Sequence, residues 1–432
     1  MKEHQTLVRR VSALFFVVML VACVSAVGMA KDKLIVLWPT YTQEKIDFGQ
    51  YLVDSFQEKH PELEVQLLLE YSKLPVLIAA GSPPDVTWQG AAGYSNAAQG
   101  WFLDLSPYVA RDESELAVRD FFPALWEHTQ IGSMRWGMPL SVNLGIYYYN
   151  QDLFDRRGVA YPRDSWVSSD FVNAARRLTY DTNGDNEPDI YGASLELTNP
   201  TWFYAYGGPV INPEGTKSIF INPAREKALE FYNDIRNTWG VEPPKAVLQR
   251  YARSNASPIM FLNEHLAITF GGIAGTLGTI RSAAEFNWDV AAWPWVEAEG
   301  KLYRGTTYTP ESLAIPYGAA NPDAAWEFIK HAMSVQVMAE VTRRGHIFPT
   351  RQRVLASDAW SSPQMPPRNQ QAFIDSLAMA LPHIGSIHVM GSDMNTSTNA
   401  LLTTYLGGTV SLRETMERID QTIQMLLDEY NR

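Results

Sequence analysis

The stretch Pro139–Asn150, PLSVNLGIYYYN, constrains the chain more than any other. It carries no charge, is rich in β-forming residues and ends in three consecutive tyrosines. A short apolar run of this kind reads as a strand with both faces covered. Two architectures accommodate it. It is an ordinary buried strand of one domain, or it carries the chain out of one lobe and into a second. On the second reading the rest of the chain forms two half-built lobes, each completed by a later segment, with a cleft between them.

The remaining sequence supplies enough material for either. The 432 residues are 46% apolar and 19% charged, an ordinary globular balance. That length accommodates roughly two or three domains. The net charge is −12, and no Lys/Arg-rich patch exceeds short pairs such as Arg343–Arg344. Phosphate backbones demand clustered positive charge, so nucleic acid is excluded as a partner. The 13 Trp and 20 Tyr mostly build core, but indole rings also grip flat ligands, so their positions matter.

The N-terminus reads as an export signal. Lys2, Arg9 and Arg10 precede an apolar run from Val11 to Ala22, followed by small residues. The run is too short for a spanning helix, and no other stretch reaches the ~20 apolar residues a span needs. Two processing outcomes fit. Gly28-Met29-Ala30 is a small-x-small site that would release a soluble protein. Leu20-Val21-Ala22-Cys23 resembles a lipobox, which would lipidate Cys23, the only cysteine in the chain. Either way the mature domain has no disulfide.

The mature chain alternates strands and helices. Lys33–Trp38 reads as a strand, and Thr42 caps a helix to Lys59 that Pro61 stops. Leu63, Val65 and Leu67 alternate with polar residues in a second strand, and a Gly81–Pro84 turn leads into Asp85–Trp88. Helices follow at Ser168–Leu178, from Asn222-Pro223 to Thr238, and over Asp323–Ser334. Asn287–Trp293 and Leu313–Pro316 are β-rich and are candidates for the second and third passages between lobes. Ser411 and Glu414 open a final helix to Tyr430, with Leu412, Met416, Ile419, Ile423 and Leu427 as its buried stripe. The class is α/β, with open sheet edges.

The order of segments resembles the extracellular solute-binding proteins of ABC importers, the family containing the maltose-binding and glycerol-3-phosphate-binding proteins. The residues that carry the likeness are Gly81–Val86, Trp136–Pro139 running through Tyr149–Phe154, Ser165-Trp166 with Phe171, and Ala174-Ala175. Ala267–Gly272, Trp288–Val290 with Pro294, and Asn321–Ile329 continue it. The resemblance spans nearly all of the mature chain. It implies a type II periplasmic-binding-protein fold, with two α/β lobes joined by a hinge and the ligand between them. The implied boundaries are a signal over 1–30, one lobe from 31–141 with 289–316, and a second from 142–288 with 317–432. It implies no chemistry: a monomeric binding protein closes on its ligand outside the cytoplasmic membrane and delivers it to a permease.

The resemblance also points to ligand residues. Trp38 and Tyr41 lie at a strand end where such proteins contact ligand. Trp88, followed by Gln89, matches a stacking tryptophan of the maltose-binding protein. Asn143 falls where that protein has a ligand-contacting carboxylate, so the hydrogen-bond pattern must differ. Trp202 and Tyr204 fall near an aromatic plate of the second lobe. Gly271 and Gly272 would let backbone amides approach a ligand, and Trp293 and Trp295 flank Pro294 after the second crossing. Such a set, aromatic plates among fixed polar groups, suits a sugar, whose C–H faces are apolar and whose hydroxyls need directional bonds. A glycerol-3-phosphate-type or other polyol ligand is the alternative, for which Arg253, Arg281, Arg304 and Arg344 are the available cations.

Two chemical readings complete the survey. Asp181, Asn183, Asp185, Glu187 and Asp189 place oxygens at alternate positions, as the first half of a calcium loop does. The closing Glu of that pattern would fall at Gly192, so only a partial, structural Ca2+ site is expected; no other cofactor is. No G-x-S-x-G, H-E-x-x-H, Walker A or G-x-G-x-x-G motif occurs. A secreted carbohydrate-active enzyme using paired carboxylates is the remaining catalytic reading.

Overall fold

The computed structural model describes residues 32–195, 201–252, 256–360 and 366–431. Strand β1 (Asp32–Leu37) pairs in parallel with β2 (Leu63–Leu68) and β3 (Val86–Gln89). Between β1 and β2 runs helix α1 (Gln43–Lys59). The Thr42 hydroxyl caps it, accepting from the Lys45 amide at 3.3 Å. Phe48, Leu52 and Phe56 recur at helical spacing and are buried.

Pro139–Asn150 does form a strand. It is β4 (Met138–Asn150), and it changes partners half-way. Gly145–Asn150 pair antiparallel with β5 (Ile268–Gly272) and β6 (Trp288–Ala291). Met138–Leu144 pair antiparallel with β7 (Thr306–Ala314), which itself pairs with β3. Strand β8 (Ala380–Pro382) adds in parallel to the start of β7. The sheet order is β2-β1-β3-β7-β4-β5.

The apolar core follows that change of partner. Met138 and Leu140 pack with Leu34, Val36, Phe48 and Leu52. Further along, Tyr147 and Tyr149 face Leu153, Phe171 and Trp293, while Ile146 and Tyr148 face Phe261, Trp288 and Val290. Alternation along the strand thus buries both faces in the second half of β4. Helices α2 (Ser168–Arg177) and α3 (Pro223–Asn233) cover this second body with Phe171 and Phe231. The helix expected to run to Thr238 ends its α-geometry at Asn233 and finishes in a π-helical turn, Asp234–Thr238. The result is two α/β lobes on one curled sheet, joined where β4 and β7 cross between them.

The expected lobe boundaries need correction. Asn287–Trp293 is no passage: Trp288–Ala291 stays with the second lobe, hydrogen-bonded to Tyr147–Asn150, and Trp293 and Val296 lie in that lobe's core. The return crossing is β7, which begins at Thr306 rather than Leu313. Nor does 317–432 belong to one lobe. Helices α4 (Pro322–Met333) and α5 (Val335–Arg343) bury Trp326, Phe328, Met338 and Val341 with Leu34 and Phe56 in the first lobe. The chain then passes through Phe348, Trp360 and Phe373, which pack beside β4, into α6 (Gly391–Leu406) and α7 (Leu412–Tyr430). These bury Met394, Leu402, Ile419 and Ile423 in the second lobe. An apolar stripe marks a helix as docked, but not which lobe it docks on.

Candidate ligand-binding cleft

Ligands of open α/β sheets bind beyond the carboxyl ends of the parallel strands. Here those ends present Trp88 of β3 and Tyr41, which follows β1. Tyr41 is 68% exposed and stands edge-on to Trp88 at 5.9 Å between ring centroids. Trp88 is 5% exposed, with Tyr71 edge-on to it at 5.3 Å, and its indole Nε1 is buried without a partner among the described residues. A β-carbon at Gly90 would lie 2.7 Å from the Trp88 ring, so the glycine gives the indole its room. Gln89 is fully buried: its Oε1 accepts from Asn96 Nδ2 at 3.1 Å, and its Nε2 donates to Thr87 Oγ1 at 3.1 Å. It acts as a brace beneath the wall. Trp38 does not reach the cleft. It is fully buried, Nε1 donates to the Lys45 carbonyl at 2.7 Å, and its ring packs edge-on to Phe48.

The sequence reading passed over two residues in this wall. Lys45, in the first turn of α1, meets Glu311 of β7 at 2.6 Å, and both side chains are buried. The signal was present. Glu311 is the lone carboxylate in the strand Thr306–Ala314, and Lys45 sits in the first turn of a helix, where the dipole favours acids.

At the crossing, Asn143 of β4 stands opposite Thr309 of β7. A β-carbon at Gly272 would come within 2.0 Å of Asn143 Oδ1, and one at Gly271 within 2.4 Å of Thr276 Cγ2. The two glycines therefore make room for the protein's own side chains. Trp202 lies in the helical turn Thr201–Ala205, with its side chain outside the described residues. Tyr204 and Trp293 are core residues of the second lobe. Arg225 donates to the Tyr204 carbonyl at 3.0 Å, and burial pushes the Tyr204 hydroxyl well above the ordinary phenol range. Trp295 is half-buried, donates from Nε1 to the Asp164 carbonyl at 2.8 Å, and carries the Arg304 guanidinium over its ring at 5.2 Å. The structure thus gathers Tyr41, Trp88 and Gln89 on the first-lobe wall, and Asn143, Gly271 and Gly272 at the crossing. Trp38, Tyr204 and Trp293 belong to the cores.

The cations weighed for a phosphate ligand have other work. Arg281 donates to the Pro366 carbonyl at 2.9 Å. Arg304 is held by the Trp293 and Ala292 carbonyls and by Asp164. Arg344 pairs with Glu340 at 2.9 Å. Arg253, Cys23 and the rest of the leader lie outside the described residues. Among the described residues no helix is long and apolar enough to cross a membrane.

The acidic loop turns its oxygens on itself. Asp181 accepts from the amides of Asn183, Gly184 and Asn186, Asn183 from Asp185, and Asp185 from Glu187. Asp189 accepts from Thr182 and from Asn183 Nδ2. Those bonds hold the Asp181 and Asp189 carboxyls below the usual carboxylate range. Gly192 could not become the missing glutamate, since a β-carbon there would lie 1.9 Å from the Ala175 carbonyl oxygen. No group of three or more His, Cys, Asp or Glu among the described residues is placed to hold a metal ion, and the loop's own bonds are those of an Asx-rich turn.

Two lobes on a shared sheet, crossed by paired strands and walled by aromatics at the strand ends, define a binding protein of the periplasmic type II fold. The chain belongs to the bacterial extracellular solute-binding proteins, whose sequence profile matches residues 42–339. It is 21% identical over 343 residues to a candidate binding protein of Brucella abortus, covering 72% of this chain and 78% of that one. It resembles the ABC substrate-binding protein of Listeria monocytogenes in complex with cycloalternan, with TM-score 0.76 and 20% identity, covering 92% of this chain and 100% of that one. The GacH receptor of Streptomyces glaucescens, solved unliganded and with acarbose, gives TM-score 0.78 and 19% identity, covering 92% and 99%. The maltose/maltodextrin-binding domain of Bdellovibrio bacteriovorus bound to maltotriose gives TM-score 0.74 and 15% identity, covering 93% and 100%.

Proposed function

We propose that the chain is the substrate-binding protein of an ABC importer that captures a neutral sugar or oligosaccharide outside the cytoplasmic membrane. It closes on its ligand, delivers it to the permease and makes or breaks no bond. The observation that carries this reading is the aromatic wall at the carboxyl ends of β1 and β3, where the exposed Tyr41 ring stands edge-on to Trp88 with Tyr71 on its other side. Such a plate suits the apolar face of a sugar ring, and Asn143 at the crossing supplies a directional amide. Neighbours of the same fold, bound to cycloalternan, acarbose and maltotriose, support a saccharide over other solutes. Engagement of Arg281 and Arg304 by backbone carbonyls, and of Arg344 by Glu340 on the surface, disfavours a phosphate ester. Export is by the N-terminal signal, with either release or lipidation at Cys23, and the mature protein works as a monomer.

A thermal-shift screen against neutral saccharides, glycerol 3-phosphate and anionic sugars tests this. A ligand that binds only the folded state adds about 2.7 kcal/mol at a hundredfold excess over Kd. At least one neutral saccharide raises Tm, and Trp88→Ala abolishes that rise. A rise with glycerol 3-phosphate alone, or release of product from the saccharide, overturns the reading.

A further inference from the structure

The buried pair Lys45–Glu311 calls for an explanation that stability does not supply. Its atoms lie 2.6 Å apart, and the side chains are only 7% and 5% exposed. Taking two charges out of water costs about as much as their attraction returns, and apolar residues of similar volume are often as stable. The pair's location is more informative. It ties the first turn of α1 to β7 at the bulge between Glu311 and Ser312. Lys45 Nζ sits 5.1 Å from the Trp88 ring centroid. Burial, and after it the Glu311 charge, raise the hydroxyl of the exposed Tyr41 above the ordinary phenol range.

Two hydrogen-bonding functions on this wall are unmet. Lys45 engages Glu311 Oε2 and leaves Oε1 uncommitted among the described residues. The Trp88 Nε1 donor is buried with no acceptor among the described residues. A carboxylate oxygen without a protein partner is a ready acceptor for a sugar hydroxyl. We propose that Glu311, positioned by Lys45, is the carboxylate that binds a ligand hydroxyl on the Trp88 side of the cleft, and that it restricts this subsite to uncharged polyhydroxylated ligands. Lys45 fixes the rotamer of the carboxylate. A carboxylate or phosphate on the ligand would meet Glu311 as a like charge. The subsite rests on the saccharide reading above.

The test is calorimetric titration of the full mature chain with maltotriose, mannobiose and tagatose, then with monodeoxy analogues of the tightest binder. Wild type, Glu311→Gln and the double variant Lys45→Met/Glu311→Leu are compared. A hydrogen bond to a charged group corresponds to roughly ten- to a hundredfold in Kd. Glu311→Gln is expected to weaken the parent sugar by that factor. One deoxy analogue, poorer than the parent with wild type, should match the parent with Glu311→Gln. The double variant keeps its circular dichroism and loses the same affinity. If Glu311→Gln weakens the parent and every analogue alike, or the folded double variant binds at the wild-type Kd, the pair is structural and the subsite is overturned while the saccharide reading stands. If wild type binds none of the sugars, both readings fall together.

Discussion

Burial holds the imidazoles of His128 and His383 down at about 4, against an ordinary 6.5. In His331, burial with the nearby Lys59 and His60 charges has the same result, about 4. The His383 ring shows why the neutral form matters, since its Nδ1 accepts from the Gly385 amide at 3.0 Å. A proton on that nitrogen would abolish the bond. The sign follows from the depressed values. Unfolded histidines take up protons first as pH falls, so this stabilisation is complete above about 6.5 and is lost between 6.5 and 4. Tm by calorimetry should be flat above neutrality and fall across that window, with a shallower fall in His383→Gln. A Tm that rises on acidification through the window would contradict the burial of these rings. At this scale the sequence separated residues poorly. Trp38 and Trp88 both end apolar strands and both pack into the first-lobe core, but Trp38 spends its indole donor on the Lys45 carbonyl, whereas Trp88 Nε1 has no partner among the described residues. The Lys45–Glu311 pair joins residues far apart in the chain, which no local spacing reveals.

Elements were more legible, because their signals are local. The Thr42, Asn222 and Ser411 caps all accept from the expected backbone amides. Strand β4 and the stripe of α7 likewise lie where a β-rich apolar run and helical spacing put them. The acidic loop shows the limit: alternating oxygens look the same whether they bind an ion or their own backbone. With its carboxylates satisfied by Asn183, Gly184 and Asn186, the loop should be indifferent to metal. Excess EGTA should leave Tm unchanged, and added Ca2+ should not raise it; a Ca2+-dependent rise of several degrees would restore the metal site. The residue after the loop is less forgiving. Gly192 packs on the Ala175 backbone of α2, so Gly192→Ala must displace a helix. It should cost at least about 2 kcal/mol in urea unfolding, as overpacking at a rigid contact does. A change under about 0.5 kcal/mol, ordinary for a surface site, would mean that α2 can move aside.

For the whole molecule, the lobes meet at several places, Ser95 Oγ donating to the His388 carbonyl at 3.3 Å among them. They share β4 and β7, which exchange lobes side by side, with Leu144 opposite Tyr308 and Asn143 opposite Thr309. They also touch where Glu44 of α1 accepts from the Thr279 hydroxyl at 2.7 Å, in the short helix Gly278–Ala283. The sequence implied two lobes through the strand that leaves the first. It did not allot the C-terminal helices, because apolar stripes carry no address, and Trp326 and Ile419 became assignable only with the coordinates. Hinge bending at a paired-strand crossing would separate Glu44 from Thr279 while leaving both lobe cores intact. If opening parts these two residues, the bond favours the closed form over the open one. When only the closed state holds ligand, apparent affinity scales with the closed fraction. Thr279→Val removes the donor and returns the Glu44 carboxylate to water in the open form, so Kd should rise by roughly tenfold at most, the lower end for a hydrogen bond to a charged group. Small-angle scattering supplies the independent readout: saturating saccharide should compact the wild type, and Thr279→Val should need more ligand to reach the same radius of gyration. Equal titration midpoints for the two proteins, or no compaction of the wild type by a sugar that raises its Tm, would show that the lobes do not move as a hinged pair.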